Sequence, residues 1–298
     1  MLSERFIQNF ARIALSPDPD LAVAALMIAR MEYPRLDAGR YIDRLDELGH
    51  EAERRVTAAS HVPSDAPRFA DPLMLAQVTA LSDYLFLDER FVGNQRHYED
   101  PRNSCLNEVL DRRTGLPITL AVVYMEVARR AGLRVEGVNF PGHFLLRCRA
   151  PRRTLDDAGD LIIDAFHGGA LLSEDACREL LRRHGDEDTD DDVRRMGQAT
   201  KPQILVRMLL NLKRTYTRMH SFPQARDVTE LLLAVNPSAV GELRDRGLLA
   251  YHMNDFNAAL RDLQAYLDLA PEARADREEA EQIWEYVKAL KRRVAGLN

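Results

Sequence analysis

Toward its C-terminus the sequence repeats itself at a separation of 34 residues. Phe222, Ala225, Leu233 and Pro237 recur as Phe256, Ala259, Leu267 and Pro271, within SFPQARDVTELLLAVNP and DFNAALRDLQAYLDLAP. A fixed period of this length with helical apolar spacing marks stacked helix pairs, each burying its apolar face only against its neighbours. From about Lys201 the sequence reads as helix to its end, and REEAEQIWEYVKALKRRV (277–294) supplies a last helix that can close the open end of the array. Gly247 falls on the first helix of the second pair, where a small residue lets the paired helix pack close.

The N-terminal part is also helical. In SPDPDLAVAALMIARMEYP, Asp18 is read as a cap, Pro19 as a first-turn proline and Pro34 as the stop. DAGRYIDRLDELGHEAERRV spaces Tyr41, Leu45 and Leu48 for one buried face. HVPSDAPRFADP (61–72) reads as a connector, and LMLAQVTALSDYLFLDE resumes helical spacing. HGDEDTDDD (184–192) lacks the glycine and terminal-glutamate spacing of a calcium loop and reads as a solvated linker.

A net charge of −6 and a pI near 5.8 argue against a general nucleic-acid binder, which needs a basic excess to neutralise phosphates. Three cysteines, Cys105, Cys148 and Cys177, form no disulfide framework and no CxxC pair, which suits a reducing cytosol. The longest apolar run, LAVAALMIA (21–29), is too short to span a bilayer, and the first residues lack the pattern of a signal peptide. A cytoplasmic location with no membrane contact is expected.

The middle differs in kind. A short helix from about Ser104 to Arg113, capped by Asn103 or Ser104, precedes a nearly uncharged helix over 116–131 that Pro117 suits at its first turn and Gly132 ends. Three strand-like runs follow, at 134–140, 143–149 and 161–166, the last two joined by a loop. Asp164 is the only charge in its apolar strand, and strand pairing could set it beside His143. His167 adds a second imidazole nearby, so a His/His/Asp ligand set is conceivable. With no local ligand motif, neither metal nor cofactor is expected. Asn94, Tyr98, Asn103 and Asn107 either line a cleft mouth or satisfy loop backbone groups.

NSCLNEVLDRRTGLPITLAVVYMEVARRAGLRVEGVNFPGHFLLR, with IIDAFHGG and the C-terminal repeats, resembles the bacterial SirB-type transglutaminase-like/tetratricopeptide repeat family. The resemblance implies an α+β fold. Its parts are an N-terminal helical segment (1–60), a cysteine-proteinase-like core with a small antiparallel sheet (61–198), and tetratricopeptide-like helical repeats (199–298). The wider superfamily uses a Cys-His-Asp triad. His143 matches its histidine and Asp164 its acid, but the nucleophile position falls on Pro117, which has no side-chain nucleophile.

Two functions are consistent with this pattern. The favoured one is a non-catalytic cytosolic interaction or regulatory module. It keeps His143 and Asp164 as a remnant dyad, with Asn94, Tyr98, Asn103, Asn107, Pro117 and His167 as binding residues. Its partner would be a protein or peptide engaged by the repeats and the cleft. The alternative is a cysteine-dependent hydrolase or acyltransferase using Cys105, His143 and Asp164.

Overall fold

The computed structural model describes residues 1–59, 71–150, 159–183, 197–269 and 277–295. Most of the 61–72 connector, the acidic run 184–192 and Pro271 of the repeat lie outside them. By internal contacts the chain divides into two compact units, Asp20–Leu205 and Met1–Pro19 with Val206–Asn298. This grouping differs from the three-segment reading. Helix α1 (Glu4–Ala14) packs on the α9 helix (Phe222–Val235) of the repeats, and the Leu2 N–H donates to Asp227 Oδ1 at 3.1 Å.

In the Asp20–Leu205 unit, α2 (Leu21–Ala29), α3 (Ala38–Ala58) and α4 (Pro72–Asp83) each start on an aspartate whose carboxylate accepts a backbone N–H of the first turn. For α2 that residue is Asp20, not Asp18: the Asp20 carboxylate takes the Val23 N–H at 2.9 Å, so Pro19 lies ahead of the cap rather than in the first turn. Tyr41, Leu45 and Leu48 are buried on α3.

The α5 helix (Leu106–Arg112) begins later than its sequence suggests. Asn103 and Ser104 sit in a 3-10 turn (Pro101–Ser104), and Cys105 is the cap residue without a capping side-chain bond. Asn103 cannot cap because its amide is committed to the preceding loop.

Helix α6 (Pro117–Arg130) is the centre of this unit and is buried along nearly its whole length. Tyr124 is fully buried, and its hydroxyl meets Ser82 Oγ at 3.1 Å. Even Glu126 is only 4% exposed, matched by Arg130, which also reaches Asp46 at 2.6 Å. Against α6 lies an antiparallel meander of β3 (Val135–Phe140), β4 (His143–Cys148), β5 (Leu161–Asp164) and β6 (Ala170–Leu172). Gly142, at φ 67°, supplies the left-handed residue of the Pro141–Gly142 turn, which sets His143 opposite Phe140. The returning chain pairs Gln198 with Val138 and covers the free edge of β3. A two-residue parallel pairing of β1 (Val92–Gly93) with β2 (Thr114–Gly115) pins the loop before α5 to the start of α6.

After α7 (Glu174–Arg183), the α8 helix (Lys201–Arg218) leads into the repeats, which run from α9 through α10 (Val240–His252) and α11 (Phe256–Leu269) to α12 (Arg277–Ala295). Ile283, Val287 and Leu290 of α12 complete a buried cluster with Ala250, Ala259 and Leu263, closing the array as its spacing predicts. A Cβ on Gly247 would lie 2.7 Å from Leu263 Cγ and 3.1 Å from its backbone N. Gly247→Val is therefore expected to cost about 1–3 kcal/mol by overpacking, whereas Gly241→Ala, with nothing within 4 Å, is expected to be near neutral. The sole tryptophan, Trp284 on α12, lies in this unit and reports both in urea unfolding. One period before Gly247 stands Lys213, whose ammonium donates to Glu242 at 2.7 Å and Asp245 at 2.7 Å on α10. At the equivalent position the first pair thus carries a charge that ties α8 to α10 of the next pair, where the second pair closes on itself by close approach of α10 and α11.

Candidate functional site

The β4–β5 register pairs Leu146 with Ile163, and one further step sets Asp164 across from Leu145. Asp164 is then a diagonal neighbour of His143 on one sheet face, as strand alternation anticipates. His143 Nε2 and Asp164 Oδ2 are 2.9 Å apart, and His167 Nδ1 lies 2.8 Å from the same oxygen. The Asp164 carboxyl is held below its ordinary range. Burial pushes it up, but the hydrogen bond and charge of His143, followed by those of His167, outweigh that penalty. An ionised carboxylate only accepts, so both ring nitrogens donate to it.

The other oxygen, Oδ1, accepts the Phe166 N–H at 3.0 Å and the His167 N–H at 3.2 Å. These bonds turn the chain into a 3-10 helix (Ala165–His167), which is why the strand read over 161–166 stops at Asp164. The turn also carries His167 back onto the carboxylate. Phe166 meets His143, His167 and Tyr98 edge-on, with ring centroids 6.1, 5.2 and 6.1 Å away. His143 and Asp164 are buried, while the His167 side chain is 51% exposed.

Asn94 and Asn103 brace the neighbouring loop. Asn94 Nδ2 donates to Asn103 Oδ1 at 3.0 Å, Asn94 Oδ1 accepts the His97 N–H, and Asn103 Nδ2 donates to the His97 carbonyl at 2.8 Å. The Asn103 carbonyl accepts Thr119 Oγ1–H at 2.7 Å, and Thr119 Oγ1 accepts the Leu116 N–H at 2.9 Å. Thr119 is not among the residues the sequence singles out, although a hydroxyl three residues after a helix cap is half of a capping box. Pro117 is buried as the first residue of α6. Asn107 is buried with its Oδ1 lacking a hydrogen-bond partner among the described residues.

Neither Cys105 nor Cys148 is activated. Cys105 is 1% exposed, and burial, with Glu32, Glu108 and Asp100 adding to it, pushes its thiol up to about 12. The charges acting on it are all acidic, and no imidazole is among them. Burial followed by Asp160 and Glu136 pushes Cys148 up to about 11. Cys177 packs with Val138, Phe140 and Leu145.

Residues 39–210 match the transglutaminase-like superfamily and residues 212–287 the tetratricopeptide repeat. A UPF0162 protein of Xylella fastidiosa is 38% identical over 277 residues, covering 91% of this chain and 92% of that protein. A UPF0162 protein of Pseudomonas aeruginosa is 31% identical, covering 74% of this chain and 72% of its own length. The human F-box only protein 21 is 34% identical over 73% of this chain, which spans only 35% of that protein. With His143 and Asp164 paired beside a helix that Pro117 begins, and with helix pairs repeating after them, the chain belongs to the UPF0162 proteins, the SirB-type family of the transglutaminase-like superfamily.

Proposed function

We propose that this protein is a protein-interaction or regulatory module whose transglutaminase-like unit does not perform thiol-dependent acyl transfer. The observation that carries this reading is Pro117, the first residue of α6, at the position matching the superfamily's nucleophile. A helix start can activate a thiol placed there, but proline offers neither a thiol nor an N–H. The buried state of Cys105 and the acidic groups around it support the same reading. Tetratricopeptide repeats generally mediate protein–protein contacts, and α8 to α11 supply such a surface for a protein or peptide partner. The face beside His143, Tyr98 and His167 is proposed as a second contact region.

A cytosolic setting with no membrane or nucleic-acid partner fits this reading. The cysteines are unpaired, the chain is acidic, and no helix among the described residues is long and apolar enough to cross a membrane.

Purified protein offered glutamine-containing peptides, amides and esters is expected to give no turnover above background, unchanged in Cys105→Ala. Turnover that iodoacetamide or Cys105→Ala abolishes would overturn the reading. Crosslinking in source cells is expected to join a companion protein to residues 201–269. A chain that purifies without any stoichiometric companion would count against the interaction role.

A further inference from the structure

The geometry points to a divalent-metal site of the zinc class formed by His143 Nε2, Asp164 Oδ2 and His167 Nδ1. Among the described residues, these three groups place their ligand atoms within 4.8 Å of one another. Two imidazoles and one carboxylate are a common three-ligand set for zinc, leaving a fourth position for water. The half-exposed His167 edge opens that position and provides the entry route, while His143 and Asp164 form a buried floor.

The surroundings support the three groups. Asp164 Oδ1 is fixed by the Phe166 and His167 N–H groups, so Oδ2 faces the rings in one orientation. The Phe166 ring packs edge-on against both imidazoles and limits their rotation. The two nitrogens need little movement relative to Oδ2, while their own separation, within 4.8 Å, settles to the tetrahedral spacing as the ion binds. They lie 2.9 and 2.8 Å from Oδ2, and a tetrahedral ion with bonds of about 2.0–2.1 Å separates its ligand atoms by about 3.3 Å, so each ring withdraws by about half an ångström.

Protons and charge also balance. Without metal, each ring gives its N–H to Oδ2. With metal, the proton on each ligating nitrogen passes to solvent or to the ring's other nitrogen, His143 Nδ1 or His167 Nε2, and each ring binds as a neutral imidazole. One carboxylate and two neutral imidazoles then leave a single positive charge on a divalent ion, shared with its bound water. The bridge ties the start of β4 to the corner after β5.

The full chain, stripped with a chelator, is titrated with Zn2+ against a chromophoric competitor and with Co2+ followed by absorption. The expected result is one ion per chain with micromolar or tighter affinity. The Co2+ bands should lack an intense thiolate charge-transfer feature. His167→Ala, at a half-exposed position that tolerates truncation, is expected to weaken binding by at least about a hundredfold, as is His143→Ala. Cys105→Ala is expected to leave binding unchanged. Absence of binding, or equal affinity in His167→Ala, would overturn the site and show the three side chains to be a hydrogen-bonded brace only. Either outcome leaves untouched the absence of thiol chemistry and the repeat-mediated contacts, which rest on Pro117 and on α8 to α11.

Discussion

Asp164→Ala is expected to destabilise the Asp20–Leu205 unit by about 3–5 kcal/mol, the cost of removing one partner from a buried, charge-assisted set. Four bonds disappear together. Two come from imidazoles, and two from the backbone N–H groups that form the 3-10 turn. Asp164→Asn is expected to cost less, about 1–2 kcal/mol. Its amide oxygen can keep the Phe166 and His167 N–H groups, while its NH2 obliges each ring to present a bare nitrogen. Trp284 lies in the other unit, so the measurement is calorimetry together with hydrogen exchange of the β4 and β5 amides. A loss below about 1 kcal/mol for the alanine variant would show that the turn holds without the carboxylate.

Native protein treated with iodoacetamide at neutral pH is expected to leave Cys105 unmodified on a timescale that alkylates free cysteine completely. Moving a thiol from an ordinary 9.0 to about 12 lowers its thiolate population about a thousandfold, and exclusion of the reagent from a side chain 1% exposed slows the reaction further. Cys148, pushed up to about 11, is expected to react little faster. Urea should release all three. Mass spectrometry of the alkylated peptides reads each site separately, and native labelling of Cys105 at the rate of free cysteine would contradict the buried, acidic setting.

The repeat array is legible because a fixed period is a long-range signal written into local spacing, and because Gly247 marks a position where two of its helices nearly touch. The His143–Asp164 pairing is legible for a related reason: strand alternation fixes the face, and an isolated charge in an apolar strand needs a partner. Features set by side-chain capture of backbone are harder to see. Asp20 takes over the cap expected of Asp18, and Asp164 turns a strand into a 3-10 helix. The β1–β2 pairing involves two residues on each side, too few for any periodic pattern. The setting of Cys105 depends on burial and then on the charge of Glu32, more than seventy positions away, which no local pattern encodes.

The two oxygens of Asp164 do different work: Oδ1 secures a backbone turn and Oδ2 gathers two rings. This sets the order in which a triad of this layout can be dismantled. A nucleophile at the head of a helix can be exchanged for proline with little structural penalty, because proline suits that position. The acid cannot be surrendered without loosening the strand corner. On the proposed reading, loss of chemistry would start at the thiol and stall at the carboxylate, leaving two rings gathered on one oxygen.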